Sequence, residues 1–237
     1  MSDRPWLIAV VFVAIVLVSL PIIARNNKKK LAQYEQQRRD WVQTAGWTYH
    51  GDGTRVLAQF PVYPFAFPGL RNPSASMWAT GQLGGRSAGM FDYFYSIEEK
   101  VSTGPFIKPE LEVTTWPRTA NAYLELAQPV PPAFVESSSP HVLGGQATGL
   151  PLPESQQYLG ADRGKDREVY IATADPRWAA TLAHPALLDL LAHPDNQAIQ
   201  VITVNNWLIV QDSEFPARPA DKLLETLQQV HAIIGRL

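Results

Sequence analysis

Residues 76–97 read SMWATGQLGGRSAGMFDYFYSI, and this stretch decides the fold class. Ser76 to Leu83 and Arg86 to Ile97 are two strand-like runs joined by Gly84-Gly85. That pair accepts positive φ at no steric cost and closes a hairpin. Side chains alternate across a strand. Phe91, Tyr93 and Tyr95 therefore fall on one face, and Met90, Asp92 and Phe94 on the other. An acid among aromatics is chemically odd. Asp92 reads either as a buried acid or as a residue on the solvent face of a half-exposed strand.

Upstream, Trp47 to His50 alternates like a strand and ends at Gly51-Asp52-Gly53, and Thr54 to Phe60 reads as one short helix. Pro61, Pro64 and Pro68 then prevent regular structure. The stretch 60–67, FPVYPFAF, is a cover packed over the core or an exposed docking edge, and the cover is favoured because bare apolar loops are unusual in water. Phe60, Tyr63, Phe65 and Phe67, with Phe91, Asp92, Tyr93 and Tyr95, form the candidate partner or pocket surface.

Downstream, strands are expected at Leu111 to Trp116 and Ala122 to Ala127. Gln128 to Gly160, with Pro129, Pro131, Pro132, Pro140, Pro151 and Pro153, reads as a long loop. Glu168 to Thr173 is a strand. Asp175-Pro176 opens a helix, with Asp as N-cap and Pro at the first position, and His184-Pro185 breaks the apolar face that follows. Ala198 to Val204 and Trp207 to Gln211 read as a hairpin through Asn205-Asn206, residues that tolerate left-handed φ. Leu223, Leu224, Leu227, Val230, Ile233 and Ile234 stripe a terminal helix from about Pro219 to Ile234. The class is α+β, a mainly antiparallel sheet covered by helices.

The N-terminal part is different in kind. Trp6 to Ala24 reads WLIAVVFVAIVLVSLPIIA, without a charge. As a helix it spans about 28 Å, the thickness of a hydrocarbon core. Trp6, Leu7, Phe12, Leu17, Leu20 and Ile23 are its anchor side chains, Trp6 standing at an interface. A cleaved signal peptide is the rival reading. It is disfavoured by the length of the run, by Asp3 offsetting Arg4, and by basic residues where a mature start should be. Arg25, Lys28, Lys29 and Lys30 follow the run and suit lipid headgroups. The positive-inside rule then places the N-terminus outside and the C-terminal domain in the cytoplasm, at the plasma membrane. Residues 1–24 are the tail and anchor, 25–45 a basic juxtamembrane helical stalk, and 46–237 the soluble domain. Leu31, Tyr34, Trp41, Val42 and Ala45 stripe the stalk, for packing on the domain or on a partner.

The chain has 237 residues, 46% of them hydrophobic and 18% charged, which excludes a disordered protein. Its net charge of −2 splits into +4 for residues 25–45 and −6 for 46–237, so there is no case for nucleic-acid binding. The absence of cysteine excludes disulfides, thiolate metal sites and cysteine nucleophiles. The five histidines (50, 141, 184, 193 and 231) have no metal-site spacing. His184 and His193 each precede a proline, at the end of a helix whose dipole favours them. The stretch GADRGKD (160–166) has one residue too few for a phosphate loop, and an aspartate where Ser or Thr must reach magnesium. No serine-nucleophile motif occurs. No cofactor or metal is expected, and an enzyme is not.

The anchor and stalk, Gly46-Trp47-Thr48-Tyr49, Phe91-Asp92-Tyr93-Phe94-Tyr95, and the unit Ala174 to Ala179 running into His184 to Asp189 extend over most of the chain. On these residues it resembles a group of single-pass membrane-anchored proteins of actinobacteria, to which no reaction is assigned. It is also similar to associated factors of respiratory supercomplexes. That resemblance implies an accessory or scaffold subunit whose partners are membrane lipids and other subunits, most concretely of a cytochrome bc–oxidase supercomplex. The alternative is a membrane-tethered sensor that binds a ligand or lipid.

Overall fold

The computed structural model describes residues 25–26, 28–62, 64–66, 70–101, 111–115, 118–138, 157–162, 168–214 and 217–235. The apolar run 6–24, with all six anchor side chains, lies outside them, as do Tyr63 and Phe67. Among the described residues no helix is long and apolar enough to cross a membrane.

Among the described residues, eight strands form one antiparallel sheet, with the α-helices on one face. The strands are β1 (Thr48–Gly51), β2 (Arg71–Leu83), β3 (Arg86–Val101), β4 (Leu111–Thr115), β5 (Arg118–Ser138), β6 (Gln157–Asp162), β7 (Glu168–Thr173) and β8 (Ile199–Asp212). The helices are α1 (28–44), α2 (Pro176–Leu182), α3 (Pro185–Ala192) and α4 (Ala220–Ile234). The order is β1-β2-β3-β5-β7-β6, with β4 against β3 and β8 against β5. The β2–β3 hairpin forms as the sequence predicts, with Gly84 at φ 59° and Gly85 at φ 78°.

Strand β5 organises the sheet. Its first half pairs with β3 and its second half with β7, while β8 follows the other edge along both halves. Two expectations are corrected here. The stretch 128–138 is strand rather than loop, and Ala122 to Ala127 is one part of a 21-residue strand. The prolines do not prevent this, because Pro131 and Pro132 fall where the β5–β8 register slips, between Val130 and Ala133. A missing N–H costs nothing at a break in the ladder. The prolines' carbonyls are still used: Thr203 donates its hydroxyl to Pro131 O at 2.8 Å, and Thr173 to Pro132 O at 2.7 Å. At the other end of the expected loop, 157–160 belongs to β6. Residues 139–156 lie outside the described residues.

The expected hairpin at Asn205-Asn206 is also corrected. Residues 199–212 are one strand, and Asn205, at φ 52°, forms a kink opposite the irregularity in β5. Asn tolerates left-handed φ in a bulge as readily as in a turn, so the dipeptide alone does not separate the two. Asn206 donates to Glu125 Oε1 across the kink at 3.0 Å.

Two apolar layers flank the sheet. One holds Tyr34 and Val42 of α1 with Leu182, Leu187, Leu191, Leu223, Leu227 and Val230 of the other helices. Each fully buried side chain of the Val, Leu or Ile kind contributes on the order of 1.5–3 kcal/mol. The other layer is aromatic: Phe60, Phe65, Phe91, Tyr93, Tyr95 and Tyr123. The predicted N-cap Asp175 holds Arg177 N at 2.8 Å and Trp178 N at 3.0 Å. The two His-Pro histidines face forward instead of answering a preceding dipole. His184 Nδ1 accepts from Ala186 N, and His193 Nδ1 from Asp195 N, so each caps the turn that follows.

Candidate functional site

The stripe of α1 that lies on the sheet is Tyr34, Arg38 and Val42, spaced four apart. It meets β3 at Asp92, which is fully buried. Asp92 Oδ1 accepts from Tyr34 Oη at 2.9 Å and from Arg38 Nη1. Arg38 Nη1 also meets the Tyr34 hydroxyl. Asp92 Oδ2 accepts from Arg118 Nη2 of β5 at 2.7 Å. Arg118 lies over the Phe94 ring at 4.5 Å, and its guanidinium stands 3.9 Å from Glu35. Two guanidinium groups thus converge on one carboxylate, and a phenol completes the set.

Burial raises the pKa of the Tyr34 phenol; Arg38 opposes the rise and Asp92 adds to it, so Tyr34 remains a donor. Burial is the largest single influence on Arg38 and pulls it down, but the charge of Asp92, the Tyr34 oxygen and the hydrogen bonds to both together outweigh it, and the guanidinium is held above its ordinary value. Arg38 Nε and Nη2 are buried without a hydrogen-bond partner among the described residues. Tyr34, Arg38 and Asp92 are all buried between α1 and the sheet. The set fastens one to the other. Asp92 is therefore buried, as one of its two readings had it, but ion-paired on the helix-covered face.

On the opposite face, Phe60, Phe65, Phe91, Tyr93 and Tyr95, proposed from sequence as a pocket, pack against one another. Phe60 stacks near Phe91 with ring centres 5.9 Å apart, and Phe65 meets Tyr93 edge-on at 5.1 Å. Tyr93 donates its hydroxyl to Pro64 O at 3.0 Å, which ties the 60–66 segment down as a lid over the core. Burial pushes Tyr95 up to about 12.

An open groove lies just beyond this core. Its volume is about 760 Å³, and its walls are Trp78, Tyr123 and Trp207. Trp78 Nε1 donates to Tyr123 Oη at 3.1 Å, and Tyr123 meets Trp207 edge-on at 5.4 Å. Gln59, Thr80 and Gln82 supply polar groups. Sequence reading missed this site because its walls come from β2, β5 and β8. Its one sequence signal is Gly89: a Cβ there would fall 2.2 Å from the Tyr123 ring, so only glycine lets the tyrosine lie flat on β3.

Among the described residues no group of His, Asp and Glu could hold a metal ion. The stretch Gly160–Asp162 lies in β6, and 163–166 lies outside the described residues. Lys28, Lys29 and Lys30 are exposed at the start of α1, and Arg25 is exposed just ahead of it.

No protein-family model matches the chain, and no curated protein matches it in sequence. Among solved structures it is similar to the crystal structure of the mycobacterial trehalose monomycolate transport factor A, TtfA. The TM-score is 0.57 and the identity 16%, over 85% of this chain and 94% of that one. At that identity the likeness is one of fold.

Proposed function

We propose that the chain is a non-catalytic, membrane-tethered accessory subunit of a multi-protein membrane complex, and that the complex handles a lipid cargo. The observation that carries this reading is the fastening of α1 to the sheet through Asp92. The helix that follows the apolar run 6–24 and the basic residues Arg25 to Lys30 does not hang as a separate stalk, since Tyr34, Arg38 and Val42 are buried against the domain. A buried ion pair adds little net stability against an apolar alternative, but it specifies one geometry. Here it specifies how the domain stands relative to whatever holds the N-terminal segment. A fixed standing suits a subunit that presents a surface to neighbours.

The shared fold favours a transport complex over a respiratory one, because the solved structure it resembles is named as a trehalose monomycolate transport factor. In this reading residues 6–24 are the anchor and the folded domain stands on the cytoplasmic side.

Purifying the tagged full chain from its own membranes in mild detergent, with mass spectrometry of what stays bound, tests the proposal. A stoichiometric set of lipid-transport subunits is the expected result. A set of respiratory subunits would replace the transport assignment, and a chain that purifies alone would overturn the accessory role.

A further inference from the structure

We propose that the groove walled by Trp78, Tyr123 and Trp207 binds a neutral sugar. The proposal deepens the accessory reading and rests on it only for the source of the ligand; the site itself is argued from its chemistry. Among the described residues that line the groove none is charged. An anionic or cationic ligand would therefore leave water without a counter-charge to receive it. A bare hydrocarbon chain would strip water from Gln59, Thr80 and Gln82 and return no hydrogen bonds. A sugar meets both halves of the lining. Its C–H faces lie on aromatic rings, and its hydroxyls exchange hydrogen bonds with amides and hydroxyls that both donate and accept.

The aromatic walls are set before any ligand arrives. Trp78 is fixed by its bond to the Tyr123 hydroxyl, and its ring centre lies 4.2 Å from that of His50, the two planes tilted by 31°. Trp207 stands edge-on to both Tyr123 and Phe60. Preorganised aromatic walls cut the ordering cost of binding. The volume of about 760 Å³ falls within the range of small-molecule sites. Thr80 and Tyr123 both pair with Gly89, two residues from Phe91, which puts the groove on the aromatic face of the sheet. It stays open when α1 is docked on the other face. The sugar is either free in solution or the headgroup of a glycolipid.

The test uses the full chain in phospholipid nanodiscs, free of glycoside detergent. Saturation-transfer NMR and tryptophan fluorescence follow two neutral disaccharides, trehalose and maltose. A second arm embeds a 6-O-acyl ester of the same disaccharide in the disc. Trp207→Ala should weaken binding at least tenfold and Gln82→Ala several-fold. Gln229→Ala, on α4, should leave it unchanged. Gln82 is exposed, so its variant stays informative if Trp207→Ala does not fold. Binding of the free disaccharide supports a soluble source, and tighter binding of the acylated one supports a glycolipid. No saturation transfer at millimolar sugar in either arm would overturn the proposal. So would binding that ignores Gln82→Ala and Trp207→Ala alike, or a proline-rich peptide that occupies the groove where no sugar does. Failure here with membrane subunits still co-purifying would remove the sugar site alone.

Discussion

Arg38 and Asp92 stand 54 positions apart in the chain, yet they form an ion pair whose side chains are 3% and 1% exposed. One belongs to the helix that leads in from the N-terminal segment and the other to the middle of the longest hairpin. The pair therefore joins the part of the chain read as membrane-proximal to the part that carries the sheet.

Removing one partner should be far worse than removing the whole set. Asp92→Asn leaves the buried Arg38 and the partly exposed Arg118 facing an uncharged amide and should cost about 3–5 kcal/mol. Asp92→Leu with Arg38→Met and Arg118→Met replaces the carboxylate and both of its guanidinium partners by apolar volume and should recover much of that loss. Urea unfolding followed by tryptophan fluorescence measures both. Equal losses in the two variants would show that packing at this site, not charge, sets the cost.

Asn205 should accept glycine but not a β-branched residue. Its φ of 52° is left-handed, where Val pays about 1–2 kcal/mol per residue and Gly pays almost nothing. Asn205→Val should lower the unfolding midpoint and Asn205→Gly should not. Asn206→Val separates a kinked strand from a hairpin, because a two-residue type I′ turn would strain there and the kinked strand does not.

Gly89→Ala should destabilise by about 1–3 kcal/mol, the usual cost of overpacking. The new Cβ meets the Tyr123 ring, and that ring holds Trp78. The expected signature is a change in near-ultraviolet circular dichroism with the far-ultraviolet signal kept. An unchanged aromatic signal would mean that Tyr123 is free to move.

Glu136 supplies a pH dependence. Burial raises its carboxyl above the ordinary value, and the hydrogen bond from Gln200 at 3.1 Å offsets only part of the rise. The folded state thus binds this proton more tightly than the unfolded state. Its contribution to stability is present below the unfolded carboxylate value and is lost as pH rises through the folded one. Glu136→Gln keeps the neutral form at every pH. The variant should match the parent near pH 4 and gain on it toward pH 7. A parent that gains on the variant over that range would reverse the sign.

Much of the fold was legible in the sequence where local chemistry decides local structure. Gly84-Gly85 closes the hairpin, Asp175-Pro176 opens α2, and the leucine stripe at 223–234 makes α4. The failures share a physical cause. Pro129, Pro131 and Pro132 look like loop until β8 and β7 are seen to leave the ladder broken where they sit. Asn205-Asn206 looks like a turn until β5 is seen to bend opposite it. Both depend on partners distant in sequence. The site divides in the same way. Asp92 stood out by composition, but its partners Tyr34, Arg38 and Arg118 come from two other elements. The groove is read only from the register, which sets Gly89 between Thr80 and Tyr123.

The central structural claim is that α1 and the sheet move as one body. The chain has no cysteine, so two introduced ones carry the only spin labels. Gln33 on α1 and Gln229 on α4 are both exposed and suit this use. Pulsed electron–electron resonance on the full chain in nanodiscs should give one narrow distance distribution, which broadens in Asp92→Asn. A broad distribution in the parent would contradict the account, because a loose helix cannot fix how the domain stands relative to the N-terminal segment.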